Sequence, residues 1–277
     1  MTGERIFMTG GSGYICGVVI EQAIQQGYNV YALSRTEASD ERIRALGAPL
    51  RAEADIVFHL ADAWARNFGQ MEYSEVVRID GGAVDAIGAG LKVEAHNGLE
   101  TNEQSPLSEA PLNDRIKSEQ YALRLCDQGI NVSVIRLAPW VYGRGGSGIR
   151  LFTSIFTNMN QVFYVDEGAA STSVVHVDDA AQLYFLAAKK AEPGDIFNAV
   201  SSTTVTAREL ATAIAHTADL PLKSLTFDEV TNLMGEFMAR FLSAENRASA
   251  QKAKEKLGWE PRGLAILDDI EHGSYST

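Results

Sequence analysis

Ile6-Phe7-Met8-Thr9-Gly10-Gly11-Ser12-Gly13-Tyr14-Ile15-Cys16-Gly17 is the stretch of the sequence that decides the fold. An apolar run passes through closely spaced glycines into residues with helical spacing, which predicts a strand, a tight turn and a helix. Such a turn directs backbone N–H groups and the positive end of the helix dipole at one point, where a pyrophosphate is stabilised. Taken alone, the pattern also fits a turn that binds nothing.

Length and charge limit the classes of protein and partner. The chain has 277 residues, with 24 Lys and Arg against 36 Asp and Glu, and a net charge of -12. It is long enough for a large domain, or a domain with a smaller lobe. The negative charge argues against nucleic acid or an anionic membrane as a partner. We see no signal peptide, no apolar run that could span a bilayer and no metal-ligand spacing of the two cysteines, so we expect a cytoplasmic protein.

The residues after the turn complete a βαβ unit. Residues 18–26 have apolar side chains at helical spacing, and Gly27 follows as a C-cap would. Residues 29–35 then predict a second strand, buried on both faces. A strand, a helix and a strand within about 30 residues form the context that a dinucleotide-binding turn requires. The candidate pyrophosphate-binding residues are therefore Gly10, Gly11, Ser12, Gly13, Tyr14 and Ile15.

The end of the second strand bears on the choice of dinucleotide. An acidic residue there holds the ribose 2′-hydroxyl, whereas a basic residue accommodates a 2′-phosphate. Arg35 therefore favours NADP(H) over NAD(H). NAD(H) stays open, because Glu37 is close by and an exposed arginine at a strand end is commonplace.

A third apolar strand, predicted over residues 54–61, carries the family resemblance. Its sequence, Ala-Asp-Ile-Val-Phe-His-Leu-Ala, together with the Thr-Gly-x-x-Gly turn and the arginine-ended second strand, resembles the extended short-chain dehydrogenases/reductases. These form the NAD-dependent epimerase/dehydratase family. The resemblance implies that His59, Leu60 and Ala61 lie beside the cofactor. Without it, His59 alone would be interpreted as a core histidine.

Later segments extend the resemblance over nearly the whole chain. Val141-Tyr142-Gly143 is similar to the family segment that borders the nicotinamide and the substrate, which implies that Pro139 also contacts the cofactor. Residues 174–181 resemble a strand-to-helix junction of the family, and residues 256–261 its near-terminal Leu-Gly-Trp motif. His176, Asp178 and Asp179 could be interpreted as metal ligands, but an aspartate that caps the helix is favoured and no metal is expected.

Cys16 departs from the family pattern because it occupies the position of the third glycine, which permits close packing of the helix on the strand. We therefore expect cofactor binding with some strain. A thiol at a helix N-terminus can also have a lowered pKa, which would suit a redox role.

The catalytic dyad of the family is absent. Counting back from Arg136 places Glu119 at the family's helix glutamate, Arg115 at its lysine and Pro111 at its tyrosine, which implies an atypical member. Arg115 can hold ribose hydroxyls or a phosphate, but it cannot donate a proton at neutral pH. Tyr142 is then the first candidate proton donor, ahead of His59 and Tyr14. A packing role for Tyr142 stays open.

The sequence also lacks segments that the family fold uses. Around residues 50–52 there is no room for the strand and the helix that in the family precede the segment matching residues 54–61. There is also no apolar strand around residues 92–94, after a helix predicted over residues 76–91. Loss of an inner strand would leave backbone groups unpaired. Either another segment fills the gap, or these 277 residues lack part of the functional protein, which is the hypothesis we favour.

The expected fold is α/β, a Rossmann-type doubly wound and mostly parallel sheet with a small C-terminal lobe. The core would comprise residues 1–144 and 174–199, and the substrate lobe residues 145–173 and 200–277. The expected function is an NAD(P)-dependent oxidoreductase or epimerase acting on a small carbonyl- or hydroxyl-bearing metabolite. The alternatives are a catalytically silent nucleotide-binding sensor or scaffold and a non-redox enzyme that reuses the cofactor cleft. The helix predicted over residues 113–128 makes a homodimer possible.

Overall fold

The computed structural model describes residues 3–11, 13–33, 37–47, 54–60, 87–89, 100–106 and 115–276. Its strands are β1 (Arg5–Thr9), β2 (Asn29–Ala32), β3 (Ile56–His59), β4 (Ile87–Ala89), β5 (Val134–Leu137), β6 (Trp140–Tyr142), β7 (Val162–Val165), β8 (Ser171–His176), β9 (Ile196–Ala199), β10 (Ser202–Thr206) and β11 (Leu222–Leu225). Its helices are α1 (Tyr14–Gln25), α2 (Glu37–Ala45), α3 (Arg115–Leu123), α4 (Ser147–Asn158), α5 (Val177–Lys190), α6 (Ala207–Ala218), α7 (Phe227–Met234), α8 (Glu236–Ser243) and α9 (Ile266–His272). A 3-10 helix (Arg124–Gln128) and a π-helical turn (Ala253–Leu257) complete the described helices.

The strands are mostly parallel, so the predicted α/β class is confirmed. Two three-stranded sheets, ordered β2-β1-β3 and β4-β5-β9, contain parallel pairs throughout. A third sheet, ordered β10-β8-β6, joins a parallel pair to an antiparallel one, and β11 pairs with β7 in parallel. Parallel strands end at the same edge of a sheet, which is where a Rossmann fold binds its ligand.

The helices and strands pack around two apolar cores. In the first, Ile6 and Met8 of β1 are fully buried and pack with Val19 and Ile20 of α1 and with residues of α5. The second core lies among α4, α6 and α8 and includes Trp140. The predicted limits of core and substrate lobe stay a prediction.

The helix predicted over residues 76–91 is wrong at its end, because residues 87–89 form β4 and pair in parallel with β5. A short apolar run fits a helix and a buried strand equally well, and pairing with a neighbouring strand decides between them. Thus another segment supplies a strand beside β5. Residues 50–52 and 92–94 themselves lie outside the described residues.

The predicted helix over residues 113–128 is present in its described part. Helix α3 begins at Arg115 and passes into the 3-10 helix, which ends at Gly129 with a φ of 81°. That left-handed conformation is the C-cap that glycine favours. Helix α2 begins at Glu37, so Ser39 lies inside it and is not the predicted N-cap.

Candidate functional site

The glycine-rich turn joins β1 to α1 as predicted. Gly10 has a φ of 72°, and the N–H of Gly13 donates to its carbonyl at 2.8 Å. Gly13 is the N-cap of α1, where no described side chain caps the helix and no acidic residue lies in its first turn. The first N–H groups of a helix have no partner within it. This end of α1 therefore offers uncompensated donors and a positive dipole to an anion.

Gly11 shows how closely the turn packs. A Cβ atom at this position would lie 2.8 Å from Cβ of Ala32 on β2 and 3.0 Å from Cδ1 of Ile43 on α2. A side chain there would push the turn away from the sheet. The turn brings together the predicted residues Gly10, Gly11, Gly13, Tyr14 and Ile15, whereas Ser12 lies outside the described residues.

Cys16 does not have the lowered pKa that the sequence suggested. Its side chain is 2% exposed, its thiol donates to the carbonyl of Thr9 at 3.4 Å, and burial raises its pKa to about 12. Desolvation disfavours the thiolate more than the helix terminus stabilises it. These surroundings do not favour the redox interpretation, and Cys16 packs in the first core at the position that the resemblance gives to the third glycine.

His59 lies at the carboxyl end of β3, opposite Thr9 at the end of β1. Thr9 Oγ1 and His59 Nδ1 are 2.5 Å apart. Burial lowers the pKa of His59 to about 4, so the imidazole is neutral near pH 7. Gly10 and His59, both predicted to lie beside the cofactor, thus share one sheet edge with Thr9. Leu60 follows directly, and Ala61 and Arg35 lie outside the described residues.

Tyr142 is buried and already has a hydrogen-bond acceptor. Its hydroxyl donates to the carbonyl of Leu264 at 2.7 Å, and its ring packs edge-on against His176 with centroids 5.3 Å apart. Burial raises its pKa further above the ordinary tyrosine value. This geometry favours the packing alternative, and proton donation by Tyr142 stays a prediction. Pro139 lies between β5 and β6, and Arg115 is the first residue of α3.

Two tyrosines hold the loop formed by residues 143–146, a feature that the sequence did not indicate. The hydroxyl of Tyr14 donates to the carbonyl of Gly143 at 2.6 Å, which joins α1 to this loop. From the C-terminal segment, the hydroxyl of Tyr275 donates to the carbonyl of Gly146 at 2.8 Å and accepts from the N–H of Gly143 at 2.8 Å. The loop that follows β6 is therefore tied both to the glycine-rich turn and to the end of the chain.

Arg144 was also missed. Its guanidinium donates to both carboxylate oxygens of Asp178, at 3.2 and 2.6 Å, and to Glu21 Oε2 at 2.6 Å. The side chain thus links α1, the loop and the start of α5. Arg144 has a positive φ of 52°, which no feature of the sequence indicated.

The junction between β8 and α5 is capped by His176 and not by an aspartate. Nδ1 of His176 accepts from the N–H of Asp178 at 3.2 Å. The buried Asp179 carboxylate accepts from the N–H groups of Arg262 and Gly263, at 2.8 and 2.9 Å, and so fixes the segment after the Leu-Gly-Trp motif. The described residues contain no group of three or more His, Cys, Asp or Glu that could hold a metal ion.

Comparison with other sequences finds relatives, although no family model matches the chain. An uncharacterized protein of Schizosaccharomyces pombe is 28% identical over 299 residues, covering 98% of this chain and 99% of its own. The sterol-4-alpha-carboxylate 3-dehydrogenase of Dictyostelium discoideum is 26% identical over 76% of this chain and 75% of its own. A 4-hydroxy-2-methyl-3-oxo-4-farnesyl-3,4-dihydroquinoline-1-oxide ketoreductase of Stigmatella aurantiaca is 24% identical over 89% and 84%. Since the first alignment exceeds 277 residues, the yeast protein has residues that this chain lacks.

Solved structures share the fold over nearly the whole chain. The UDP-glucose 4-epimerase of Thermotoga maritima, with UDP-glucose, superposes with a TM-score of 0.70 at 20% identity and covers 98% of both chains. The human epimerase family protein SDR39U1, with NADPH, has a TM-score of 0.72 at 17% identity and covers 98% of this chain and 99% of its own. The predicted resemblance to epimerases and dehydratases is thus confirmed at the level of the fold. No helix in the described part of the chain is long and apolar enough to cross a membrane.

Proposed function

We propose that this chain is an oxidoreductase or epimerase that binds NADP(H), in preference to NAD(H), and acts on a small carbonyl- or hydroxyl-bearing metabolite. The observation that carries the proposal is the uncapped N-terminus of α1 behind the turn of Gly10, Gly11 and Gly13. A pyrophosphate is the ligand that such a terminus stabilises in a Rossmann fold.

The backbone of the turn would hold the pyrophosphate, and the ends of β1, β3 and β5 would line the rest of the dinucleotide. Leu60, Ala61 and Pro139 are the residues proposed there, with Arg35 at the 2′-phosphate and Arg115 at ribose hydroxyls or a phosphate. When bound, the nicotinamide supplies the hydride, and the protein orients the substrate beside it. The NADPH bound in the human structure supports this choice.

The substrate class is proposed from the relatives. The Dictyostelium and Stigmatella proteins are named as a dehydrogenase and a ketoreductase. Both names describe chemistry that interconverts a carbonyl and a hydroxyl group. We assign no proton donor among the described residues, because the hydroxyls of Tyr14 and Tyr142 already donate to backbone carbonyls.

The same two hydrogen bonds favour a second candidate, a nucleotide-binding protein without catalysis. A sensor or scaffold needs the glycine-rich turn but no free proton donor. The third interpretation, a non-redox enzyme that reuses the cleft, requires no dinucleotide at all.

One pair of measurements separates these functions. Titration with NADPH and with NADH, followed by quenching of tryptophan fluorescence, should give a lower Kd for NADPH. Consumption of NADPH should then follow addition of one or more members of a panel of aldehydes and ketones. Binding without consumption would support the silent protein. No binding of either dinucleotide would overturn the proposal and leave the non-redox enzyme.

A further inference from the structure

An apolar pocket lies in the second core, between α4, α6, α8 and β7. Its wall contains a chain of packed aromatic rings. Trp140 lies 5.1 Å from Phe152 and 5.5 Å from Phe241 between ring centroids, and Phe156 lies 5.1 Å from Phe163. Among the described residues no charged side chain lines it, and its polar side-chain atoms belong to Trp140, Tyr164 and Thr172. Such a wall suits a hydrocarbon group and excludes a phosphate or a sugar.

The pocket opens to solvent. Tyr164, Ala170, Ala207 and Phe241 in its wall are half-buried, and Ala244 is exposed. The cavity measures about 30 Å³. That is roughly twice the space one water molecule needs on this measure. Well-packed cores leave few voids of this kind, and an apolar recess that meets water is typical of a ligand site. Its size indicates a slender occupant.

The pocket is connected to the proposed cofactor site along the chain, at Trp140. Trp140 follows Pro139, which lies two residues after Leu137, the last residue of β5. Trp140 is also the first residue of β6 and pairs with Val174 of β8, so the wall residue Thr172 lies toward the same end of the sheet as Pro139. A substrate whose carbonyl lies beside Pro139 can thus extend into the pocket.

We propose that this pocket receives an unbranched alkyl chain of the substrate, while the carbonyl group stays at the carboxyl edge of the sheet. That the substrate carries a carbonyl group rests on the proposed function, whereas its unbranched alkyl chain is inferred from the pocket alone.

The test uses calorimetric titration of the cofactor-free protein with acetone, 2-butanone, 2-hexanone and 2-octanone. Each methylene that enters should lower Kd about threefold to fourfold, until the pocket is full. Ala211→Leu places a larger side chain in the pocket wall and should abolish this gradient. Thr212→Leu adds the same side chain on the exposed face of α6 and should preserve it. Absence of a gradient in the wild type, or its survival in Ala211→Leu, would overturn the inference.

Phe241→Ala provides an independent variant, should Ala211→Leu fail to fold. Removing this half-buried ring enlarges the pocket, so affinity should keep rising to 2-octanone and longer ketones. A gradient that ends at the same chain length as in the wild type would contradict the proposal. Because the titrations contain no dinucleotide, failure of NADPH to bind would overturn the proposed function and leave these results unaffected.

Discussion

Arg136 on β5 donates to both carboxylate oxygens of Glu119 on α3, with Nε to Oε2 at 2.9 Å and Nη2 to Oε1 at 2.7 Å. Both residues are buried, with 8% and 4% exposed. The pair ties α3 to the parallel sheet. Arg115 precedes Glu119 by four residues, so the two positions share one face of the helix. The alignment that places Arg115 at the lysine of the resembled family stays a prediction.

Glu119→Ala should lower the free energy of unfolding by about 3–5 kcal/mol, because it removes the carboxylate that accepts two hydrogen bonds from the buried guanidinium of Arg136. Urea denaturation measures the change. Glu236→Ala is the matched control, since its carboxylate pairs with Arg240 on the surface. That change should cost within about 0.5 kcal/mol. Equal effects of the two substitutions would contradict a buried structural role for the pair.

The features that the sequence predicted well are local. The turn at Gly10 and the helix stop at Gly129 follow from short-range rules of backbone conformation, so they were visible in the sequence. The bond between Tyr275 and the loop at Gly146 joins residues 129 positions apart and has no periodic signal. The raised pKa of Cys16 depends on how completely the core covers it, which a motif does not show.

Gly11→Ala should raise the Kd of NADPH and NADH alike, by roughly tenfold, since overpacking against Ala32 costs about 1–3 kcal/mol and displaces the turn. Fluorescence titration measures both constants. Gly17→Ala is the control, because among the described residues outside α1 its Cβ would meet nothing nearer than Cδ1 of Leu46, at 3.9 Å. In the interior of α1 this change should leave binding intact and add about 0.5–1 kcal/mol of stability. Loss of binding in both variants would argue against the packing explanation.

Arg35→Glu should raise the Kd of NADPH by roughly 10- to 100-fold more than the Kd of NADH. The reason is that a charge-assisted hydrogen bond to the 2′-phosphate contributes about 1.5–3 kcal/mol. Arg35 lies outside the described residues, so this prediction rests on the sequence. Arg44→Glu, an exposed charge reversal on α2, should affect the two dinucleotides equally and little. Equal losses of NADPH and NADH in Arg35→Glu would refute the assignment of the strand end.

His59 should make stability depend on pH in mildly acidic solution. Burial lowers its pKa from 6.5 to about 4, so the unfolded chain takes up a proton more readily than the folded one. The stabilisation is complete above pH 6.5 and is lost as the pH falls toward 4. Because the ring is partly exposed, the loss should not exceed about 2 kcal/mol. Denaturation of wild type and His59→Gln across this range isolates the effect, and parallel pH profiles would contradict it.

Tyr142→Phe separates packing from proton donation. Removing the hydroxyl breaks its bond to the carbonyl of Leu264, which should lower the free energy of unfolding by about 1 kcal/mol. Leu264 is 49% exposed, so water can replace the lost donor and the affinity for NADPH should not change. Tyr121→Phe, at a half-exposed ring on α3, should leave stability unchanged. With a carbonyl substrate in hand, turnover should be retained in Tyr142→Phe, whereas loss of a general acid would slow it by roughly 100-fold or more. A fall of that size in the turnover rate, at unchanged affinity for NADPH, would establish Tyr142 as the proton donor. Its hydroxyl would then have to leave the carbonyl of Leu264 and donate to the substrate.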